Sequence, residues 1–292
     1  MLSLLANASV EVSARDSAVT QKLAERFPRG TDTHVTFLPN DERAGVESTC
    51  AALRRAGFNP IPHLTARSFA SREALDAHLG RLADGAGVAT ALVIAGDADR
   101  PRGALASSID LMRTDLLQKH GIRSIRIAGH PEGHPAVARE FLDAALQEKT
   151  AFARDHGLGV EIVTQFCFDP APILSWLEHI RGLGITAPVR LGVAGPANSA
   201  TLLKFALRCG IGNSLRVLRR RTEAVGKLMS ETRPDELLRQ VSSGADNAGL
   251  GPLAGIHLYV FGGLQKTSEW LRDARSAWDA ETAAPRFSCA GS

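Results

Sequence analysis

The feature that most constrains this chain is a beat: short apolar, β-branched runs alternate with longer amphipathic stretches along most of its 292 residues. The runs are Ala8–Ser13, His34–Leu38, Pro60–Leu64, Ala91–Gly96, Ser124–Gly129, Val160–Phe166, Val189–Gly195 and Ile256–Gly262. Ala91–Gly96 reads Ala-Leu-Val-Ile-Ala-Gly, with no polar side chain at all. A strand wet on one face alternates polar and apolar residues. A continuous apolar run instead needs cover on both faces, as in a parallel sheet flanked by helices. Ser71–Leu82 is predicted helical, with Ser71 as N-cap and Ala74, Leu75, Leu79 and Leu82 on one face. Ser107–His120 and Pro135–His156 are predicted to follow suit, stopped by Gly121 and Gly157. Asp169–Leu183 opens with Pro170 and Pro172 in its first turn, where a missing N–H costs little, and stops at Gly184.

Eight such units at about 25 to 35 residues each point to a closed (β/α)8 TIM barrel, read as one domain over residues 1–292. An open doubly wound sheet is the alternative. The absence of Gly-x-Gly-x-x-Gly after the first run counts against its dinucleotide-binding form. Arg216–Glu269 is less regular: Ser230–Val241 reads as a helix and the Gly- and Asn-rich Ser242–Gly251 as a loop. About residues 281–292 read as a polar, frayed tail.

The totals narrow the partners. A net charge of +3 is too slight to predict nucleic-acid binding, which needs a clustered basic face. Neither a membrane span of about 20 apolar residues nor a signal peptide is legible, so a cytoplasmic protein is expected. Cys50, Cys167, Cys209 and Cys289 form no Cys-x-x-Cys pair and read as reduced thiols. His130-Pro-Glu-Gly-His134 lacks the His-Glu-x-x-His spacing, and its prolines prevent a helix that would align ligands; no metal is expected. No Gly-x-Ser-x-Gly turn supports a serine hydrolase. Arg216–Arg221 reads as a solvated helix face or a holder of an anionic tail.

In such a barrel the active site forms at the carboxyl ends of the strands. Glu11 sits in the first run, Thr36 in the second and His63 in the third; Gly96-Asp97 ends the fourth. The fifth runs into His130 through His134, and the sixth into Gln165 and Phe166. A polar group in an apolar strand costs free energy unless partnered, so each needs an explanation. Taken singly, Glu11 could pair with an arginine in the barrel floor, Asp97 could cap a turn, and Gln165 could bond loop backbone. Together, six strands carrying polar groups at one end read as a site.

These residues resemble methylenetetrahydrofolate reductases. The most specific stretches are Ala128-Gly-His-Pro-Glu-Gly-His-Pro135, close to Ala-Gly-Tyr-Pro-Glu-x-His-Pro, and Thr164-Gln-Phe-Cys-Phe-Asp169, close to Thr-Gln-Phe-Phe-Phe-Asp; Pro62-His-Leu-Thr65 and Gly96-Asp97 fall at the right intervals. The resemblance implies FAD at the strands' carboxyl ends. NAD(P)H and a folate, methylene- or methyltetrahydrofolate, would use it in turn by ping-pong hydride transfer. It implies Glu11 as general acid, Asp97 beside flavin and folate, and Gln165 with Phe166 against the pterin. Thr36, His63, Ala95, Gly96, Asp97, His130, His134 and Lys149 would hold the cofactor. A homodimer or tetramer is also implied. The chain departs from the pattern at Phe37-Leu-Pro-Asn-Asp41, at Ala95 where the family has arginine, at His130 where it has tyrosine, and at Val12-Ser13-Ala14. This divergence raises an oxidative direction in demethylation as an expectation. Two alternatives stand beside it: a barrel oxidoreductase using a deazaflavin or no flavin, and a non-catalytic folate- or flavin-binding barrel.

Overall fold

A computed structural model describes residues 2–16, 18–209 and 231–283. Arg216–Arg221 and residues 284–292 of the tail lie outside them. Eight parallel strands close a barrel: β1 (Ser9–Ser13), β2 (Asp32–Thr36), β3 (Asn59–Thr65), β4 (Thr90–Ile94), β5 (Ser124–Gly129), β6 (Gly159–Thr164), β7 (Val189–Ala194) and β10 (Leu253–Tyr259). Neighbours follow chain order, and β10 closes the ring between β7 and β1. Two short strands, β8 (Ala197–Asn198) and β9 (Glu231–Thr232), pair antiparallel outside it. The (β/α)8 expectation therefore holds. Every barrel strand is legible in the sequence, with boundaries off by at most a few residues. The largest slips, at β2, β4, β6 and β10, run into the following loops, because those loops are apolar too.

The outward faces of the strands and the inward faces of the helices form the main core. Val10, Val35, Leu64, Val93, Ile125, Ile127, Leu191 and Ile256 pack there against Leu53, Leu75, Leu79, Leu82 and Ile180. Helix Arg72–Ala86 starts where Ser71 Oγ accepts the Ala74 N–H at 3.2 Å and ends at Gly87, whose φ of 52° suits glycine. Helix Pro170–Gly182 is capped by Asp169, with Pro170 in the first turn.

Four expectations need correction. Ser107–His120 is two short helices, Ser108–Met112 and Leu116–Lys119. Asp115 at φ 59° breaks the run, and Thr114 turns its hydroxyl onto the Leu111 carbonyl. The helix expected from Pro135 begins at Arg139, whose guanidinium donates to the carbonyls of His130 and Pro131 and holds the preceding segment as a loop. The helix expected at Ser230–Val241 and the loop expected at Ser242–Gly251 are replaced by one helix, Asp235–Asn247. Gly244 lets it approach helix Pro170–Gly182: an added Cβ would lie 2.6 Å from Leu174 Cδ1. Close packing here overrides glycine's weak helix propensity. Finally, residues 281–283 of the expected tail belong to helix Leu264–Ala283, which buries Trp270 and Leu271 in the core, with Trp270 Nε1 donating to Asp235.

One glycine decides the barrel's fit. Gly192 donates its N–H to Thr164 Oγ1 at 2.8 Å, and a Cβ there would lie 2.0 Å from the Thr164 carbonyl oxygen and 3.0 Å from the Tyr259 ring. Overpacking a closed core costs about 1–3 kcal/mol. Gly192→Ala is expected to lose at least that much in urea titration; an unchanged midpoint would show that β6 and β7 can spread.

Candidate active site

The barrel floor is charged rather than aliphatic. Arg190 makes a bidentate pair with Glu161, at 2.6 and 3.1 Å, and also holds the Asn7 and Ile256 carbonyls. Arg126 pairs with the same Glu161 at 2.9 Å and with Asp32. Two guanidinium groups thus meet two carboxylates, and their burial is offset by mutual pairing. This disposes of the floor-arginine alternative for Glu11: both arginines are occupied by other acids.

Glu11 lies one layer higher, among rings. Its Oε2 is 3.8 Å from His63 Nε2 and 3.7 Å from His257 Nε2. Burial pushes its carboxyl above the usual carboxylate range, and His63 only partly opposes this. The side chain still keeps 23% of its surface exposed, enough for a bound molecule to reach it. His63 is itself pushed down to about 4 by burial, and His34 and His257 are held well below the ordinary histidine range for the same reason. All three imidazoles are therefore neutral at pH 7.

From this cluster, side chains lead toward the ends of β6 and β10. The His257 and Tyr259 rings meet edge-on at 4.9 Å, and Tyr259 donates its hydroxyl to the Thr164 carbonyl at 3.2 Å. Phe166, fully buried, packs edge-on against Tyr259 at 5.3 Å and Phe261 at 4.9 Å. Gln165 follows, half-buried. Its backbone N–H bonds Gly129, and its Oε1 accepts the Phe166 N–H at 3.1 Å. That leaves the amide NH2 free to donate.

A second group sits at the ends of β4 and β5. His130 and His134 meet edge-on at 5.4 Å. His130 is pushed down to about 4 by burial, with His134, Lys149 and Arg139 adding to it. Lys149 reaches this group from helix Arg139–Asp155; it is 8% exposed and has no hydrogen-bond partner among the described residues. Burial lowers its ammonium to about 8. Gly96, at φ 91°, brings the backbone against Thr65, where a Cβ would lie 3.0 Å from the threonine's own. Ala95 is half-buried, and its carbonyl accepts the Arg67 N–H. Thr36 is buried and donates to the Val12 carbonyl at 3.3 Å. Asp97 follows Gly96 and is exposed.

The structure thus gathers Glu11 with His63, and His130 with His134 and Lys149. Sequence reasoning passed over His34, Arg126, Glu161, Arg190, His257 and Tyr259. The signal was present, since each is a polar residue inside a strand run. It was sought only at the strand ends. Among the described residues no three His, Cys, Asp or Glu side chains are placed to hold a metal ion. Cys50 and Cys167 are buried free thiols.

A closed parallel barrel with a buried acid beside two imidazoles in its interior defines a (β/α)8-barrel protein with a candidate active site. The family model described as methylenetetrahydrofolate reductase matches residues 6–213, and the chain belongs to that family, oxidoreductases of one-carbon folate metabolism. The fold is also shared with dihydropteroate synthase from Thermus thermophilus. One structure of it is 14% identical with a TM-score of 0.50; another, in complex with 6HMPPP, is 13% identical with the same score. Each alignment covers 94% of this chain and 93% of that one. No described helix is long and apolar enough to cross a membrane.

Proposed function

We propose that this chain interconverts methylenetetrahydrofolate and methyltetrahydrofolate, with FAD carrying the hydride to or from NAD(P)H. The observation that carries this reading is Glu11. A carboxyl buried away from any free cation, pushed toward its protonated form and still open to the mouth, is a general acid in waiting.

The second cluster fits a flavin dinucleotide. A buried ammonium with no partner suits a phosphate, and Gly96 gives a backbone approach that a Cβ would fill. Thr36, His63, Ala95, Gly96, Asp97, His130, His134 and Lys149 would hold the cofactor, which when bound supplies hydride transfer. The chain's own residues handle the folate. Gln165 offers its amide NH2 to the pterin edge, and Phe166, fully buried, backs that position instead of lining it as the resemblance implies. Glu11 donates its proton to the bridging nitrogen as the C–N bond breaks. The bond's electron pair goes to that nitrogen, leaving an iminium on the folate and a carboxylate on Glu11. The exposed carboxylate of Asp97 favours that cation.

The flavin-free or deazaflavin reading rests on Ala95 and on the segment after β2. There Arg43 stacks on Phe69 at 3.6 Å and on Phe37 at 4.9 Å, a packed cluster where the family has glycines. The visible spectrum of the purified protein separates the two. Oxidised-flavin bands that bleach anaerobically with NADH or NADPH are expected. A colourless protein that binds no added FAD yet turns over folate would sink the flavin assignment. Rates measured in both directions decide whether the chain works oxidatively, and sedimentation decides whether it is a dimer or tetramer.

A further inference from the structure

Glu11 needs a reason to stay protonated with His63 only 3.8 Å away, since a protonated imidazole would turn it into a carboxylate. The reason lies in a directed chain of hydrogen bonds. A guanidinium can only donate, so Arg126 Nη1, at 2.6 Å, makes His34 Nε2 an acceptor. The His34 proton must then be on Nδ1. That nitrogen faces His63 Nε2 at 3.3 Å, so His63 accepts there and carries its own proton on Nδ1. His63 cannot gain a proton on Nε2 without setting two N–H groups against each other. On the other side His257 Nδ1 lies 2.9 Å from Ser9 Oγ, which is 3.4 Å from the Ile256 carbonyl. With the Ser9 hydroxyl on that carbonyl, His257 donates to Ser9 and turns a bare Nε2 toward Glu11. The His63 Nε2 lone pair is taken by His34 and the His257 Nε2 lone pair is bare, so neither ring offers Glu11 an N–H, an arrangement that suits O–H and disfavours O⁻.

We propose that His34, oriented by Arg126, is a positioning residue that fixes the His63 tautomer and so denies Glu11 a counter-cation, keeping it loaded as an acid. The inference rests on the general-acid reading of Glu11. The groups around the carboxyl are accounted for: His34 and Asp32 on β2, His63 on β3, Arg126 on β5, Glu161 on β6, Arg190 on β7 and His257 on β10. The four charged ones are paired among themselves. The imidazole pKa directions agree with the tautomer chain, because neutral rings are what it requires.

The test is an NMR titration of the full chain, without cofactor or folate, labelled with [15N]histidine and [13C]glutamate. In the wild type His63 should show the Nδ1–H tautomer and stay neutral down to the pH at which the barrel unfolds. In His34→Leu its midpoint should rise by at least one pH unit, toward the ordinary value of about 6.5, and the Glu11 midpoint should fall by a similar amount. His34→Gln should restore both, because an amide can accept from Arg126 and donate to His63. In turnover, His34→Leu should lose about tenfold in folate rate on the alkaline side of the pH profile, with KM unmoved. An Nε2–H tautomer at His63 in the wild type, or an identical Glu11 midpoint in all three proteins, overturns the proposal; the wild-type tautomer decides even if the leucine variant fails to fold. A wild type that titrates as expected but turns over no folate would instead sink the function proposed above and leave the hydrogen-bond chain standing.

Discussion

Replacing Glu11 by Gln is expected to lower folate turnover by about 10²–10⁴-fold, the usual contribution of a positioned general acid, while reduction of bound flavin by the nicotinamide continues at close to the wild-type rate. The split follows from where the side chain sits. Its neighbours are His63 and His257, and of the proposed cofactor residues only His63 is beside it; glutamine leaves that imidazole in place, so the substitution removes a proton and keeps the proposed cofactor contacts. Glutamine keeps the volume and can still bond to the rings, so the fold is retained. Burial disfavours the ionised acid, so its folded pKa is raised. The stability tied to it is therefore present at low pH and lost as pH rises through that folded pKa. The Gln variant, which cannot ionise, should melt no lower than wild type at alkaline pH. Stopped-flow measurement of each half-reaction separates the outcomes: equal damage to both would show that Glu11 serves the cofactor, and undiminished folate turnover would remove it from the chemistry.

The second large effect is acid lability. His34, His63 and His257 are buried and neutral, and burial depresses all three pKa values. In the unfolded chain each takes a proton near pH 6.5. A depressed folded pKa gives stability that is present above the unfolded value and drains away as pH falls toward the folded one. Each group costs about 1.4 kcal/mol per pH unit in that window, so the three together cost about 4 kcal/mol per unit just below 6.5. For His63 alone the window runs down to about 4, which amounts to roughly 3 kcal/mol. His78 and His130, also pushed down to about 4, act in the same direction. Glu11 opposes them, gaining stability as pH falls through its raised pKa, but it is one group against five. Against a typical total of about 5–15 kcal/mol, cooperative unfolding is expected above pH 4. Urea titrations between pH 7 and 5 should show unfolding coupled to uptake of three or more protons. A slope below one proton would mean that these rings are already charged in the native barrel.

These expectations draw on two different kinds of information. The order of strands and helices was legible from sequence because periodicity is local: an apolar run such as Ala91–Gly96 reads as a strand covered on both sides, and Ser71 marks a helix start by chemistry that acts within a few residues. Glu11 and Gln165 could be singled out because polar side chains in or beside apolar elements are costly wherever they land, whereas Lys149 came only with the family resemblance. Only the closed barrel decided who partners whom. Glu161 meets Arg126 and Arg190 rather than Glu11 meeting either, and the helix through Gly244 survives because Leu174 lies against it. His34 is an ordinary strand residue in the sequence; it becomes a tautomer lock because β2, β3 and β5 carry it, His63 and Arg126 into one interior layer. Such pairings depend on ring closure and strand stagger, which bring together residues as far apart in the chain as Ser9 and His257, 248 positions, and no local pattern encodes them.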